Sequence, residues 1–92
     1  LARYGGDEFA IILPEADRAA ARRFCEKLRA IIAAYPFHHQ QQTLAVTTSI
    51  GLQSYVHKDG EKTVSQLVAA ADARLYEAKK TGRNRICAGV FD

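Results

Sequence analysis

Two long stretches of this chain repeat their apolar residues every three to four positions, and short apolar or alternating runs flank each of them. In the first, Ala21, Phe24, Cys25, Leu28, Ile31, Ile32 and Tyr35 make one stripe, with Arg and Lys around the rest of the helix. Asp17 is placed to cap its start and Pro36 to stop it. In the second, Val64, Leu67, Val68, Ala71, Leu75 and Ala78 make the stripe. Thr63 and Gln66 fit a capping box, Lys79 and Lys80 suit the negative end of the helix dipole, and Gly82 suits the position just past it.

Between and around these helices the period changes to two. Phe9 to Leu13 is a short apolar run ended by Pro14 and reads as a buried strand, with Phe9 anchored in the core. Leu44 to Val56 reads as one long strand, with Gly51 marking a bulge or a close backbone approach. Arg85 to Val90 is a final short strand. His38 to Gln42 reads as a polar surface connection; His38 and His39 are adjacent and so do not face one metal together. The order strand, helix, strand, helix, strand predicts an α/β (α+β) layer with both helices packed on an antiparallel-containing sheet.

At 92 residues this is one domain at most, read here as 1–92 of a domain truncated at its N-terminal side. The apolar fraction of 48% permits a core, but no run approaches the ~20 residues of a membrane span. Leu1-Ala2-Arg3 leads straight into the motif at residues 5–9 and so reads as no signal peptide, and the chain does not begin with Met, as expected of a piece of a longer protein. Cys25 and Cys87 lie in apolar stretches and read as buried free thiols of a reducing compartment. The net charge is +3. Arg18, Arg22, Arg23, Lys27 and Arg29 read as a solvated helix face. Lys79, Lys80, Arg83 and Arg85 form a denser group, suited to a phosphate-bearing ligand. Aromatics do not interleave with these cations, so nucleic acid is not the expected partner.

The residues that carry chemistry are Gly5-Gly6-Asp7-Glu8-Phe9. Two glycines let a backbone turn tightly and approach a ligand closely. Two adjacent carboxylates supply hard oxygen donors for Mg2+ and a candidate base. A Gly-Gly hairpin turn with solvated carboxylates is the bland alternative. By chance, however, the full string would occur in a chain of this length on the order of once in tens of thousands.

Arg3-Tyr4-Gly5-Gly6-Asp7-Glu8-Phe9 resembles the signature of the GGDEF domain, the diguanylate cyclase family. Val46 to Gly51 is similar to that family's strand after the long helix, and Ala71 to Arg85 to its C-terminal helix and following turn. The resemblance implies a partial ferredoxin-like, nucleotide-cyclase palm. It implies condensation of two GTP into cyclic di-GMP with release of pyrophosphate, Mg2+ (or Mn2+) as cofactor, and a homodimer of such domains for catalysis. A sensory domain would precede it, and its place would be the cytoplasm, without membrane contact by this segment. Residue by residue, the resemblance implies Asp7 and Glu8 as catalytic and metal-binding, and Gly5 and Gly6 as the substrate turn. Lys79 and Arg83 are implied as phosphate contacts. Asp72 matches a family position and is expected to make a structural bond, while Asn84 and Arg85 close the turn.

The family's other metal-binding aspartate, its guanine-reading residues and its Arg-x-x-Asp inhibitory site would all precede Leu1. The isolated chain is therefore expected to be inactive. The alternative reading is an inactive module that binds GTP, cyclic di-GMP or a partner as a receptor. A third is a structural piece that pairs with another copy through an exposed edge.

Overall fold

The computed structural model describes residues 2–3, 8–56 and 59–91, the first two by their backbone alone. It is a mixed α/β structure. The elements are β1 (Ala2–Arg3), β2 (Phe9–Ala10), α1 (Arg18–Ala34), β3 (Phe37–His39), β4 (Gln42–Leu44), β5 (Ile50–Ser54), α2 (Val64–Lys80) and β6 (Ile86–Val90). The strands form three pairs: β1 with β2 and β3 with β4 antiparallel, β5 with β6 parallel.

The structural centre is the unit β5-α2-β6. Two parallel strands need a crossover between them, and α2 supplies it. Ile50 lies opposite Ile86 and Ser54 opposite Val90, and Ile50 N–H donates to Arg85 O to start the ladder. Both helices pack on this pair, α2 more extensively than α1. Gly51 is a point of close approach: a Cβ there would lie 2.2 Å from Ala71 O and Leu75 N. The close-approach reading of this glycine is thus the correct one, and no bulge interrupts the register.

Each helix starts as its sequence dictates. Asp17 Oδ1 accepts from Ala20 N–H at 2.7 Å. Thr63 Oγ1 accepts from Gln66 N–H at 3.1 Å, and Gln66 Oε1 accepts from Thr63 N–H at 2.8 Å, closing the capping box. The buried stripe of α1 is narrower than the periodicity predicts. Ala21 and Cys25 are buried and Leu28 and Ile32 half-buried, whereas Phe24, Ile31 and Tyr35 are exposed. On α2 the stripe runs from Leu67 to the fully buried Ala78, and Val64 stays outside it. Cys25 is a buried free thiol and Cys87 a half-buried one. Burial pushes the Cys25 thiol above its ordinary pKa, with Arg22 opposing.

Three strand expectations need correction. The run from Phe9 is a strand only through Ala10, with Phe9 and Ala10 paired to Arg3 and Ala2. Phe9 is 64% and Ile12 85% exposed, so Phe9 does not anchor the core. The span from Leu44 is not one strand: Leu44 ends β4, and residues 45–49 have no ladder partner among the described residues until β6 begins opposite Ile50. The polar stretch 38–42 lies on the surface but is a hairpin, with Gln40 and Gln41 both left-handed at φ 48° and 67°. That is the two-residue turn that matches strand twist, normally signalled by Asn-Gly rather than Gln-Gln.

Candidate functional site

Gly5, Gly6 and Asp7 lie outside the described residues. On either side of them β1 and β2 pair antiparallel, with Arg3 opposite Phe9. Glu8 is half-buried, and its Oε2 lies 3.7 Å from Lys79 Nζ. The two residues are 71 positions apart in sequence, yet the fold brings the signature's second carboxylate to the C-terminal end of α2. A partly exposed pair at this distance is worth about 0–1 kcal/mol. Lys79 can therefore leave Glu8 for a more anionic group at little cost.

The end of α2 is built to present cations. Thr81 N–H and Oγ1 both donate to Glu77 O, at 3.0 and 2.7 Å. Gly82 takes φ 133°, and Arg83 N–H donates to Ala78 O at 2.9 Å, the six-to-one bond of a Schellman end. Two of the four terminal carbonyls thus have donors from the chain's own turn. Lys79 and Lys80 both lie in the last turn of α2, and the Lys79 ammonium there also reaches Glu8. Lys79 supplies a compact charge and Arg83, exposed just beyond, a planar fork of donors, the two modes by which side chains hold phosphate.

Arg83 and Asn84 are consecutive left-handed residues, at φ 61° and 48°. Asn84 N–H donates to Ser49 Oγ at 3.2 Å, Asn84 Oδ1 accepts from Arg29 Nη1 at 2.8 Å, and Arg85 Nε donates to Arg83 O at 3.1 Å. Asn84 and Arg85 close the turn as expected. The sequence pattern groups Arg29 with a solvated helix face, and the structure corrects that. It is half-buried and also bonds Glu26 Oε1, with Nε at 2.9 Å. No sequence signal marks it, since its partner lies 55 residues away. Asp72 is exposed and has no side-chain partner among the described residues.

Mg2+ takes hard oxygen donors and keeps several waters and phosphate oxygens of its own. Glu8 is such a donor, and Asp7 carries the same chemistry. Among the described residues no three acidic, His or Cys side chains gather as a complete metal cage. No helix among the described residues is long and apolar enough to cross a membrane.

The chain matches the family model described as diguanylate cyclase, GGDEF domain, over residues 1–85. It is 40% identical over 86 residues to diguanylate cyclase DgcP of Pseudomonas aeruginosa, covering 94% of this chain and 12% of that protein. It is 40% identical over 86 residues to response regulator PleD of Caulobacter vibrioides, covering 91% of this chain and 18% of that protein. Diguanylate cyclase A of Treponema denticola is 39% identical over 85 residues, covering 92% of this chain and 22% of that protein. The chain thus spans less than a quarter of each of these relatives. A family match over nearly its whole length, including the signature at residues 5–9, means that the chain belongs to the GGDEF domain family of diguanylate cyclases.

Proposed function

We propose that the protein containing this chain condenses two GTP into cyclic di-GMP, and that residues 1–92 form the C-terminal part of its cyclase domain. The observation that carries this reading is the intact Gly5-Gly6-Asp7-Glu8-Phe9 string within a family match over residues 1–85. Each 3′-hydroxyl oxygen attacks the other nucleotide's α-phosphorus, a P–O bond to pyrophosphate breaks, and the hydroxyl proton leaves to a base. Two such displacements close the ring and release two pyrophosphates.

The residues divide the work. Gly5 and Gly6 allow the nucleotide to lie against the backbone. Asp7 and Glu8 would hold Mg2+ (or Mn2+), and Asp7 is also the candidate base for the 3′-hydroxyl. The cation, when bound, lowers the hydroxyl pKa and neutralises charge on the leaving pyrophosphate. Lys79, released from Glu8, and Arg83 hold the phosphates of the incoming triphosphate. One domain holds one GTP, so a homodimer with the two sites facing each other completes the reaction. We further propose a sensory domain in the parent, since the relatives are several times longer than this chain, and a cytoplasmic location, where GTP is supplied.

The test is incubation of the full-length parent with GTP and Mg2+. The expected result is cyclic di-GMP with two pyrophosphates per product. Saturable GTP binding with no pyrophosphate released would overturn the cyclase reading and mark a receptor module instead.

A further inference from the structure

We propose that Arg29, on α1, is a positioning residue for the phosphate-binding turn after α2, acting through Asn84 on Arg83. The inference rests on the reading of Arg83 as a phosphate contact.

Two consecutive non-glycine residues in the left-handed region are unusual. Asn tolerates that conformation, whereas Arg has no local means of compensating it. In Gln40-Gln41 a two-residue hairpin imposes such backbone; at Arg83-Asn84 no hairpin does, so other restraints must hold it, as happens at ligand clamps. Here the restraints come from three directions. The end of α2 holds the Arg83 amide through Ala78 O, residues 45–49 hold the Asn84 amide through Ser49, and α1 holds the Asn84 side chain through Arg29. Of the three, Arg29 supplies the one charged donor, at 2.8 Å.

Arg29 is itself fixed. Glu26, one turn earlier on α1, accepts from both its Nε and Nη2, which leaves Nη1 aimed at Asn84. This division of the fork is specific to arginine, because a lysine cannot hold two planar directions at once. The Arg29 side chain is only 21% exposed, so its position is restrained by packing although its bond to Asn84 lies at the surface. Without it, the Asn84 amide oxygen loses its charged donor and the turn is free to relax out of the left-handed region. Arg83 would then move relative to Lys79, although Arg29 touches no ligand.

The experiment measures binding of 3′-deoxy-GTP, which lacks the attacking hydroxyl, to the full-length parent with Mg2+ by calorimetry. The variants are Arg29→Ala, Asn84→Gly, Arg83→Ala and the double variant Arg29→Ala/Arg83→Ala. Asn84→Gly keeps the left-handed conformation accessible and removes only the acceptor, so it reports on the same bond should Arg29→Ala fail to fold. Loss of a hydrogen bond to a charged group predicts about tenfold weaker binding for each single variant. Because Arg29 acts through Arg83, the double variant should bind within about twofold of Arg83→Ala alone. Unchanged affinity in Arg29→Ala and Asn84→Gly, with Arg83→Ala weakened, overturns the inference and leaves the phosphate reading standing. A double variant that loses the product of the single effects also overturns it, since that is the signature of an independent structural role. Unchanged affinity in Arg83→Ala overturns the phosphate reading and the inference with it.

Discussion

Replacing Gly51 by Ala adds one methyl group where the structure has no room for it. The new Cβ would sit 2.2 Å from Ala71 O, 2.2 Å from Leu75 N and 2.7 Å from Leu75 Cα. All three are backbone atoms of α2, so no side-chain rotation relieves the overlap. Helix and strand must part by roughly an ångström, and a gap of that size forfeits a quarter to a half of each dispersion contact along the face. The face in question carries Leu67, Val68, Ala71, Leu75 and Ala78, most of what α2 buries. Overpacking of this kind costs about 3 kcal/mol or more when the obstructing atoms are backbone. The assay is pulse proteolysis of the cyclase domain in its parent protein across a urea series, which reads that domain's midpoint without requiring the rest to unfold with it. The midpoint should fall by roughly 1–3 M. A Gly51→Ala midpoint within roughly 0.3 M of wild type would refute the close packing of α2 on β5, and with it the account of why the strand carries glycine there.

Thr63→Ala removes the acceptor for Gln66 N–H and half of the capping box, and should cost about 1 kcal/mol in the same urea assay. Lys79→Ala should weaken GTP binding by the parent about tenfold while leaving the urea midpoint nearly unchanged, because the partly exposed pair with Glu8 contributes little to folding. The Cys25 thiol has a raised pKa in the fold, mainly through burial, so its contribution to stability is fully present below the ordinary thiol value. As pH rises from there toward the raised native value, the unfolded chain loses its proton first and stability falls. Urea midpoints at neutral and alkaline pH should therefore diverge more in wild type than in Cys25→Ala, and equal divergence would contradict the assignment.

The helices were legible because their signals are local. Asp17 and the Thr63–Gln66 box are short-range hydrogen bonds written in sequence order, and the structure forms both. The strands were legible only in part, since a strand is defined by its partner. Alternation from Leu44 to Val56 is continuous, but β3 takes the first part and β6 the second, and residues 45–49 are left between them. Gln40-Gln41 concealed a hairpin because neither residue is a usual left-handed turn former. At the candidate site the basic group after α2 was visible as charge density. The juxtaposition of Glu8 with Lys79 could not be read from spacing alone, because it depends on the whole fold between them. Arg29 was invisible for the same reason: on the helix wheel it is one more polar residue, and only the turn 55 residues later gives it a role.

The central claim is that the Gly5–Phe9 string marks a working cyclase in the parent protein. Its most direct test is Mg2+-dependent formation of cyclic di-GMP from GTP by the full-length parent, side by side with Asp7→Ala. The account predicts product from the wild type and at least about a hundredfold less from the variant, in line with the loss of an essential general base or charge-stabilising group. Equal product from Asp7→Ala, or none from either protein, would contradict it.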